Sequence, residues 1–273
     1  MHRILFEIGN FPIYSYGAMI ALAFIVAILV AMNEAKKSGE NQERILDISL
    51  RVIIGALIGG RLIYVFTYLD YYLKDPIKIL YIRQGGLSFL GGFLFAVILA
   101  WLYVKKNQLI FWKYADICSP AIAIGLGIGR IGCLLNGCCF GVITDSYGIK
   151  FPAEHLPPAY LQHLKDGLIS QGSACSLPVV PTQIYSSIYG FAIFLILLRI
   201  SKPKRYDGFT FLMFLILYSV ARFSIEFFRF YENRIVLFKI FSITQVVCII
   251  VIIFAIFMMR YLKKIQLNKR IIE

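Results

Sequence analysis

The sequence predicts an all-α integral membrane protein of about seven transmembrane helices, with an extracytoplasmic cap inserted between helices four and five. Three observations predict it. Of 273 residues, 59% are hydrophobic and only 16% charged, where a soluble domain carries roughly a quarter charged residues. The mean hydropathy is +0.76. The apolar residues come in repeated blocks of about 20, the length that crosses the hydrocarbon core of a bilayer.

Taken in order, the spans fall at about 13–32, 46–68, 87–104, 115–135, 182–200, 209–228 and 241–262. The first follows His2, Arg3 and Glu7, and its apolar run from Phe11 to Met32 is too long for the core of a secretory signal. The second carries Gly59-Gly60-Arg61, and the third opens on Gly85-Gly86-Leu87-Ser88-Phe89-Leu90-Gly91-Gly92. The fourth holds Gly125-Leu126-Gly127-Ile128-Gly129-Arg130-Ile131-Gly132. Residues 136–181 interrupt the pattern with Pro152, Pro157, Pro158, Pro178 and Pro181 among polar residues, and so form the cap. The fifth span enters at Pro181-Thr182-Gln183, the sixth ends in Arg222 and Glu226, and the seventh is apolar to Met259. The whole chain reads as one polytopic membrane domain, residues 1–273, with the cap inserted in it. There is no internal repeat.

The formal net charge is +13. The basic residues sit in short loops between apolar spans and form no clustered face with interleaved aromatics, which argues against nucleic-acid binding. One set of loops holds Lys36, Lys37, Arg44, Lys105, Lys106, Lys113, Arg199, Lys202, Lys204, Arg205, Arg260, Lys263, Lys264, Lys269 and Arg270. The other holds Arg3, Lys74, Lys78, Arg83, Lys150, Lys165, Arg229, Arg234 and Lys239. The excess marks the first set as cytoplasmic. The expected protein is therefore a multi-pass protein of the bacterial cytoplasmic membrane, with its N-terminus and cap outside and its C-terminus inside.

Ionisable residues inside a span mark function unless they pair. Arg130 stays charged, because a guanidinium cannot be neutralised by burial. Asp116, the carboxylate of its own span, is fourteen residues away, roughly 21 Å along a helix. An anion or a wet cavity must then meet Arg130, unless the glycines only tighten helix packing and the side chain snorkels outward. Arg222 and Glu226 are four apart and share a helix face. They read either as a self-neutralising pair or as part of a phosphate site, for which arginine is well suited. Arg61 poses the same question, and Tyr16 lies where interfacial anchors sit.

Six cysteines complete the inventory, with Cys133, Cys138 and Cys139 clustered after the Arg130 segment. They read as small buried thiols, as partners of Cys175 in a disulfide, or as ligands with His155 or His163. Their spacing matches no zinc pattern, so no metal and no cofactor is expected.

Gly129-Arg130-Ile131-Gly132 followed by Asn136-Gly137 and Gly141 resembles the signature of the bacterial phosphatidylglycerol–prolipoprotein diacylglyceryl transferases. The resemblance continues through Tyr16-Gly17, Gly60-Arg61-Leu62 with Tyr64, Gly85-Gly86-Leu87-Ser88-Phe89 with Gly91-Gly92, Pro181 with Gln183 and Tyr185, and Arg222, Glu226, Phe227, Phe228 and Arg229. It implies seven membrane helices with a periplasmic head. It also implies a reaction, transfer of diacylglycerol from phosphatidylglycerol to the thiol of a prolipoprotein lipobox cysteine with release of glycerol phosphate. The partners implied are that lipid, the prolipoproteins and the surrounding membrane.

By the same resemblance Arg130, Arg222, Glu226 and Tyr16 are catalytic. Substrate contacts come from Arg130, Arg61, Asn136, Gly141, Gln183, Tyr185 and Arg229. Arg130 binds the donor headgroup, Arg222 holds the phosphate, and Glu226 orients the arginines. The sequence departs from the family at five places. Leu90 and Val180 stand for histidines, Cys133 for an asparagine, Cys138 for a glutamate and Ser186 for an acidic residue. Leu90 keeps open a second reading, a non-catalytic binder or transporter of an anionic lipid. The cysteines alone support a third, a thiol-redox or metal-binding membrane protein.

Overall fold

In a computed structural model the described residues are 3–9, 11–81, 85–201, 206–232, 236–237 and 241–272. His2, Arg83, Lys202, Lys204, Arg205, Arg234, Lys239 and Glu273 lie outside them. A short hairpin, β1 (Ile4–Ile8) and β2 (Phe11–Tyr14), leads into α1 (Ser15–Lys37) and α2 (Gln42–Thr67). Next come α3 (Leu69–Lys74), a 3-10 turn at Pro76–Leu80, α4 (Phe89–Lys106) and α5 (Phe111–Asn136). The cap contains α6 (Pro158–Lys165), and α7 (Thr182–Ile200) and α8 (Phe209–Ile225) follow. A 3-10 turn at Glu226–Phe228, the strand pair β3 (Val236–Leu237) and β4 (Phe241–Ser242), and α9 (Ile243–Ile272) close the order. Among the described residues seven helices are long and apolar enough to cross a membrane, namely α1, α2, α4, α5, α7, α8 and α9. Each coincides with one expected span, though α1 continues five residues beyond its expected end and α9 ten, on basic residues that suit the headgroup region.

The chain forms two compact units, one of residues 1–30 with 115–273 and one of residues 31–114. In the second unit, α2 and α4 touch backbone to backbone. A Cβ on Gly59 would stand 2.5 Å from the carbonyl oxygen of Gly91, so only glycine permits this approach. Asn41 caps α2 by accepting the Glu43 N–H at 2.8 Å, a contact of about 1 kcal/mol. Glu40, ahead of that cap, accepts from Lys113 at 2.5 Å and from the Tyr114 hydroxyl at 2.6 Å. Burial raises its carboxyl pKa, but these two hydrogen bonds, together with the charges of Lys113 and Arg44, outweigh burial and hold it below its ordinary value.

In the first unit, α5 and α7 meet where a Cβ on Gly190 would lie 2.8 Å from Gly127 Cα. The Ser187 hydroxyl donates to the Gly127 carbonyl at 2.8 Å beside this crossing. Asp116 of α5 caps α8 by accepting the N–H groups of Gly208 and Phe211, both at 2.8 Å. It is thus committed to the helix N-terminus, where a carboxylate is favoured. The cap has its own core of Phe140, Phe151, Ala159 and Val179. His163 is 1% exposed and its Nδ1 accepts the Leu177 N–H at 3.1 Å, so it is a cap residue. Burial, offset in part by Asp166, lowers its pKa. Arg3 ties the start of the chain to the cap by donating to the carbonyls of His155 and Leu156, at 2.7 and 3.1 Å.

Candidate functional site

The site in the first unit is built on the C-terminal half of α5. Its glycines serve packing first: Gly127 admits α7, and a Cβ on Gly132 would press Met19 Cβ of α1 at 3.0 Å, with the Tyr16 ring 3.5 Å away. Arg130 lies between these two contacts. It is half-buried, and among the described residues it has neither a hydrogen bond nor an ion pair within the chain. Tyr16, Tyr189, Cys133, Cys139 and Tyr218 are among the ionisable side chains whose fields it shares. Tyr218 of α8 also feels the charge of Arg222, and its ring lies edge-on to Tyr189 at 6.1 Å.

Arg222 and Glu226 form a network rather than an isolated pair. Arg222 Nη1 lies 2.6 Å from Glu226 Oε2, within ion-pair range but out of line for a hydrogen bond. Arg222 Nη2 donates to the Tyr231 hydroxyl at 2.8 Å, and that hydroxyl donates to Glu226 Oε2 at 3.0 Å. Glu226 Oε1 accepts from the Ser242 hydroxyl at 2.8 Å. Ser242 and Gln245 in turn form a capping box at the start of α9. The Ser242 N–H donates to Gln245 Oε1 at 2.9 Å, and the Gln245 N–H to Ser242 Oγ at 3.3 Å. Glu226 is 1% exposed, and a carboxylate so buried needs this full set of partners to stay ionised. Tyr231, Ser242 and Gln245 went unread in the sequence, although Ser-x-x-Gln before an apolar run is a legible helix start.

After Arg130 the helix ends in a Schellman turn. The Gly137 N–H donates to the Leu134 carbonyl and the Cys138 N–H to the Cys133 carbonyl, both at 3.1 Å. Gly137 takes φ +74°, the left-handed value this turn demands. Such a turn brings the side chains of its third-last helical and second following residues together, and here those residues are Cys133 and Cys138. Cys139 is also left-handed, at φ +60°. Its thiol joins the other two, and the three sulfurs lie within 4.8 Å of one another. Hydrogen bonding with Cys133 and Cys138, then the charges of Arg229 and Arg130, hold the Cys139 thiol below its ordinary pKa despite burial. All six cysteines are free, and Cys175 lies in a bridge to Pro152. His155 and His163 are not in the thiol group.

The remaining expected residues divide by role. Gln183 is 1% exposed and donates to the Cys138 carbonyl at 2.9 Å, while Thr182 donates to the Cys139 carbonyl at 2.7 Å. The start of α7 therefore holds the cysteine turn. Gln183 Oε1 is buried without a hydrogen-bond partner. Gly141 is a backbone crossing: its N–H donates to Val180 at 3.0 Å, and a Cβ would stand 2.5 Å from the Phe228 carbonyl. Arg229 pairs with Gly141 in an antiparallel bridge and lies 5.4 Å over the Tyr231 ring. Asn136 ends α5 and has a side-chain interaction with Cys138. Tyr16 and Tyr185 are 42% and 43% exposed.

Arg61 belongs to the other unit. Its Nε donates to Ile79 at 2.8 Å, Nη2 to Lys78 at 2.6 Å, and Nη1 to Gly85 and Gly86 at 2.9 and 3.0 Å. These bonds fasten the segment between α3 and α4, a positioning task. Its 7% exposure fits that use.

A family model described as prolipoprotein diacylglyceryl transferase matches residues 3–261. The chain belongs to this family. A phosphatidylglycerol–prolipoprotein diacylglyceryl transferase of Bacillus mycoides is 34% identical over 274 residues, covering 100% of this chain and 97% of its own. That of Geobacter sulfurreducens is 36% identical over 232 residues, 83% of this chain and 81% of its own. Transferase 2 of Clostridium perfringens is 35% identical over 230 residues, 84% of each chain. A member of this family is a multi-pass bacterial membrane protein, in keeping with the seven apolar helices.

Proposed function

We infer that the protein transfers the diacylglyceryl group of phosphatidylglycerol to the thiol of a prolipoprotein lipobox cysteine. The acceptor sulfur forms a bond to the glyceryl carbon, and that carbon's bond to the phosphate oxygen breaks. The leaving oxygen keeps the electron pair as glycerol phosphate, and the thiol proton passes to solvent. The observation that carries this reading is Arg130, a permanent charge within an apolar span that has no anion of the described chain paired with it. A lipid phosphate supplies that anion, and preorganised positive charge favours the departing phosphate. Arg222 adds a second guanidinium, held in place by Glu226 and Tyr231. Tyr16, Asn136, Gln183, Tyr185 and Arg229 complete the proposed lining, and Gly141 and Arg61 act by shaping backbone. The orientation proposed from the basic loops puts this site and the cap outside the cytoplasm.

Complementation of a strain depleted of its own transferase tests the reading, scored by maturation of lipoproteins. Restored maturation by the wild-type chain and none by Arg130→Ala is the expected outcome. A second reading, an anionic-lipid binder without catalysis, draws on Leu90, which is 62% exposed where the family resemblance places a histidine. Phosphatidylglycerol binding by the purified chain with no lipoprotein maturation in the depleted strain would select it.

A further inference from the structure

Three thiols gathered by one turn form a donor set that the transfer chemistry described so far leaves unused. The geometry points to Cys133, Cys138 and Cys139 as a three-thiolate site for zinc, whose fourth position takes the acceptor thiol as a thiolate. The second half of this inference rests on the diacylglyceryl-transfer reading; the first half does not.

Five observations carry it. Zinc holds thiolates at about 2.3 Å, which separates tetrahedral sulfurs by about 3.8 Å. The three sulfurs already lie within 4.8 Å of one another, so each needs to move by less than about 1 Å to reach a common ion. The backbone is committed to this arrangement independently of the thiols. The Schellman turn joins Cys133 and Cys138, the left-handed Cys139 curls the third residue back, and Thr182 and Gln183 fasten both following carbonyls.

The donor set selects the ion. A group of sulfurs alone suits a soft or borderline metal, and three protein ligands leave the open position of a catalytic zinc site, where four would close it. The charges agree as well. The C-terminal end of α5 carries the negative pole of its macrodipole, a poor place for three thiolates without a cation. A zinc ion with three thiolates keeps one negative charge, and two with a fourth. Arg229 and Arg130 both act on Cys139, so two guanidiniums face that charge. Finally, Gln183 Oε1 is a buried acceptor without a partner on the side chain that grips Cys138. A zinc-bound water, donating to it, would satisfy it.

The arrangement answers a chemical need of the proposed reaction. The nucleophile is a thiolate, whose formation is favoured by a base, a neighbouring cation or a metal. Glu226 is fully engaged in its network, and His163 is locked in the cap. On binding zinc, the acceptor sulfur gives up its proton to solvent and forms the zinc–sulfur bond. The sulfur then attacks the glyceryl carbon, the phosphate leaves, and the product thioether departs from the zinc. Because Arg130 shares its field with both Cys133 and Cys139, the nucleophile would form beside the guanidinium that holds the phosphate.

The test uses the full chain purified in detergent with phosphatidylglycerol, never exposed to chelator. Elemental analysis is expected to find one zinc per chain. Exchange for cobalt should give a thiolate-to-metal charge-transfer band. Both signals should vanish in Cys133→Ser/Cys138→Ser/Cys139→Ser, and both should persist in Cys118→Ser/Cys175→Ser. Folded wild-type protein with less than a tenth of an equivalent of metal, or with two of the three cysteines in a disulfide, overturns the site. Cobalt titration of the wild-type chain that yields no band overturns it as well, whether or not the triple variant folds. For the role, chelation should abolish transfer to a lipobox peptide while lipid binding persists, and added zinc should restore it. Transfer unchanged by complete zinc removal overturns the role. Zinc bound at one per chain without transfer under any condition upholds the site and overturns the transferase reading.

Discussion

Arg222 Nη1 stands 2.6 Å from Glu226 Oε2, and both side chains are buried, at 9% and 1% exposure. The pair is held at both ends, by Tyr231 on the arginine and by Ser242 on the carboxylate. Glu226→Gln would leave the guanidinium buried without its countercharge. Breaking such a pair costs about 3–5 kcal/mol, whereas Ser242→Ala, which removes a helix cap and one hydrogen bond to Glu226 but leaves both charges paired, should cost about 2 kcal/mol. Chemical unfolding in detergent micelles reads both. Equal stability of the two variants would mean that the carboxylate does not compensate Arg222.

Arg130 should behave differently, because it supports no contact that the fold needs. Arg130→Ala is expected to leave stability near wild type and to remove phosphatidylglycerol binding. Arg130→Lys keeps the charge but loses the planar fork, and turnover should fall on the order of a hundredfold or more. Lipid binding to the purified variants and transfer to a lipobox peptide separate the two effects. Near-normal binding by the alanine variant would make Arg130 structural.

Glu40 gives the second unit an acid-sensitive fastening. Its folded pKa lies below the ordinary 4.5, so the stability it contributes is complete above that value and is lost as pH falls through the folded pKa. Glu40→Gln should lower the unfolding temperature at neutral pH, and the difference from wild type should shrink between about pH 5 and 3. A difference that stayed constant over that range would remove the carboxylate from the account.

The α5–α7 crossing should be intolerant of any side chain. Gly190→Val must place its Cβ within 3 Å of Gly127 backbone atoms, and overpacking of this kind costs roughly 1–3 kcal/mol. Loss of folded yield, with Ser187→Ala milder, is the expected result. A fully stable valine variant would show that the helices separate easily.

For topology, a reporter fused after Arg270 should be active in the cytoplasm. Activity confined to the periplasm would reverse the orientation inferred from the basic loops.

The seven spans were legible because lipid leaves few alternatives to a long apolar helix. Their ends were not, since α1 continues on Lys36 and Lys37 and α9 on Lys263 and Lys264, whose long stems suit the interface. Helix α6 is too short and too polar for a hydropathy pattern to mark. Arg130 and the Arg222–Glu226 pair stood out by their cost in an apolar setting. Tyr231 and Ser242 did not, because they reach Glu226 only when the turn after α8 and the start of α9 meet. The thiol grouping was half legible. Gly137 announces the turn that joins Cys133 to Cys138, but the position of Cys139 depends on a left-handed residue that no pattern required. Arg61 shows the opposite limit: nothing in the residues around it announced that its donors serve carbonyls 17 to 25 residues downstream.

The link from Arg3 to the carbonyls of His155 and Leu156 orders events during synthesis. Between the two ends lie α1, α2, α4 and α5, and an even number of crossings is what returns the chain to the side where it began. The partner of Arg3 leaves the ribosome 152 residues after it. In the orientation proposed from the basic loops, the opening hairpin must therefore wait outside the cytoplasm until four helices have been threaded and the residues around His155 have followed. A ribosome stalled before His155 would hold a nascent chain whose leading segment has nothing to dock on, and protease added from that side should trim it until the cap arrives.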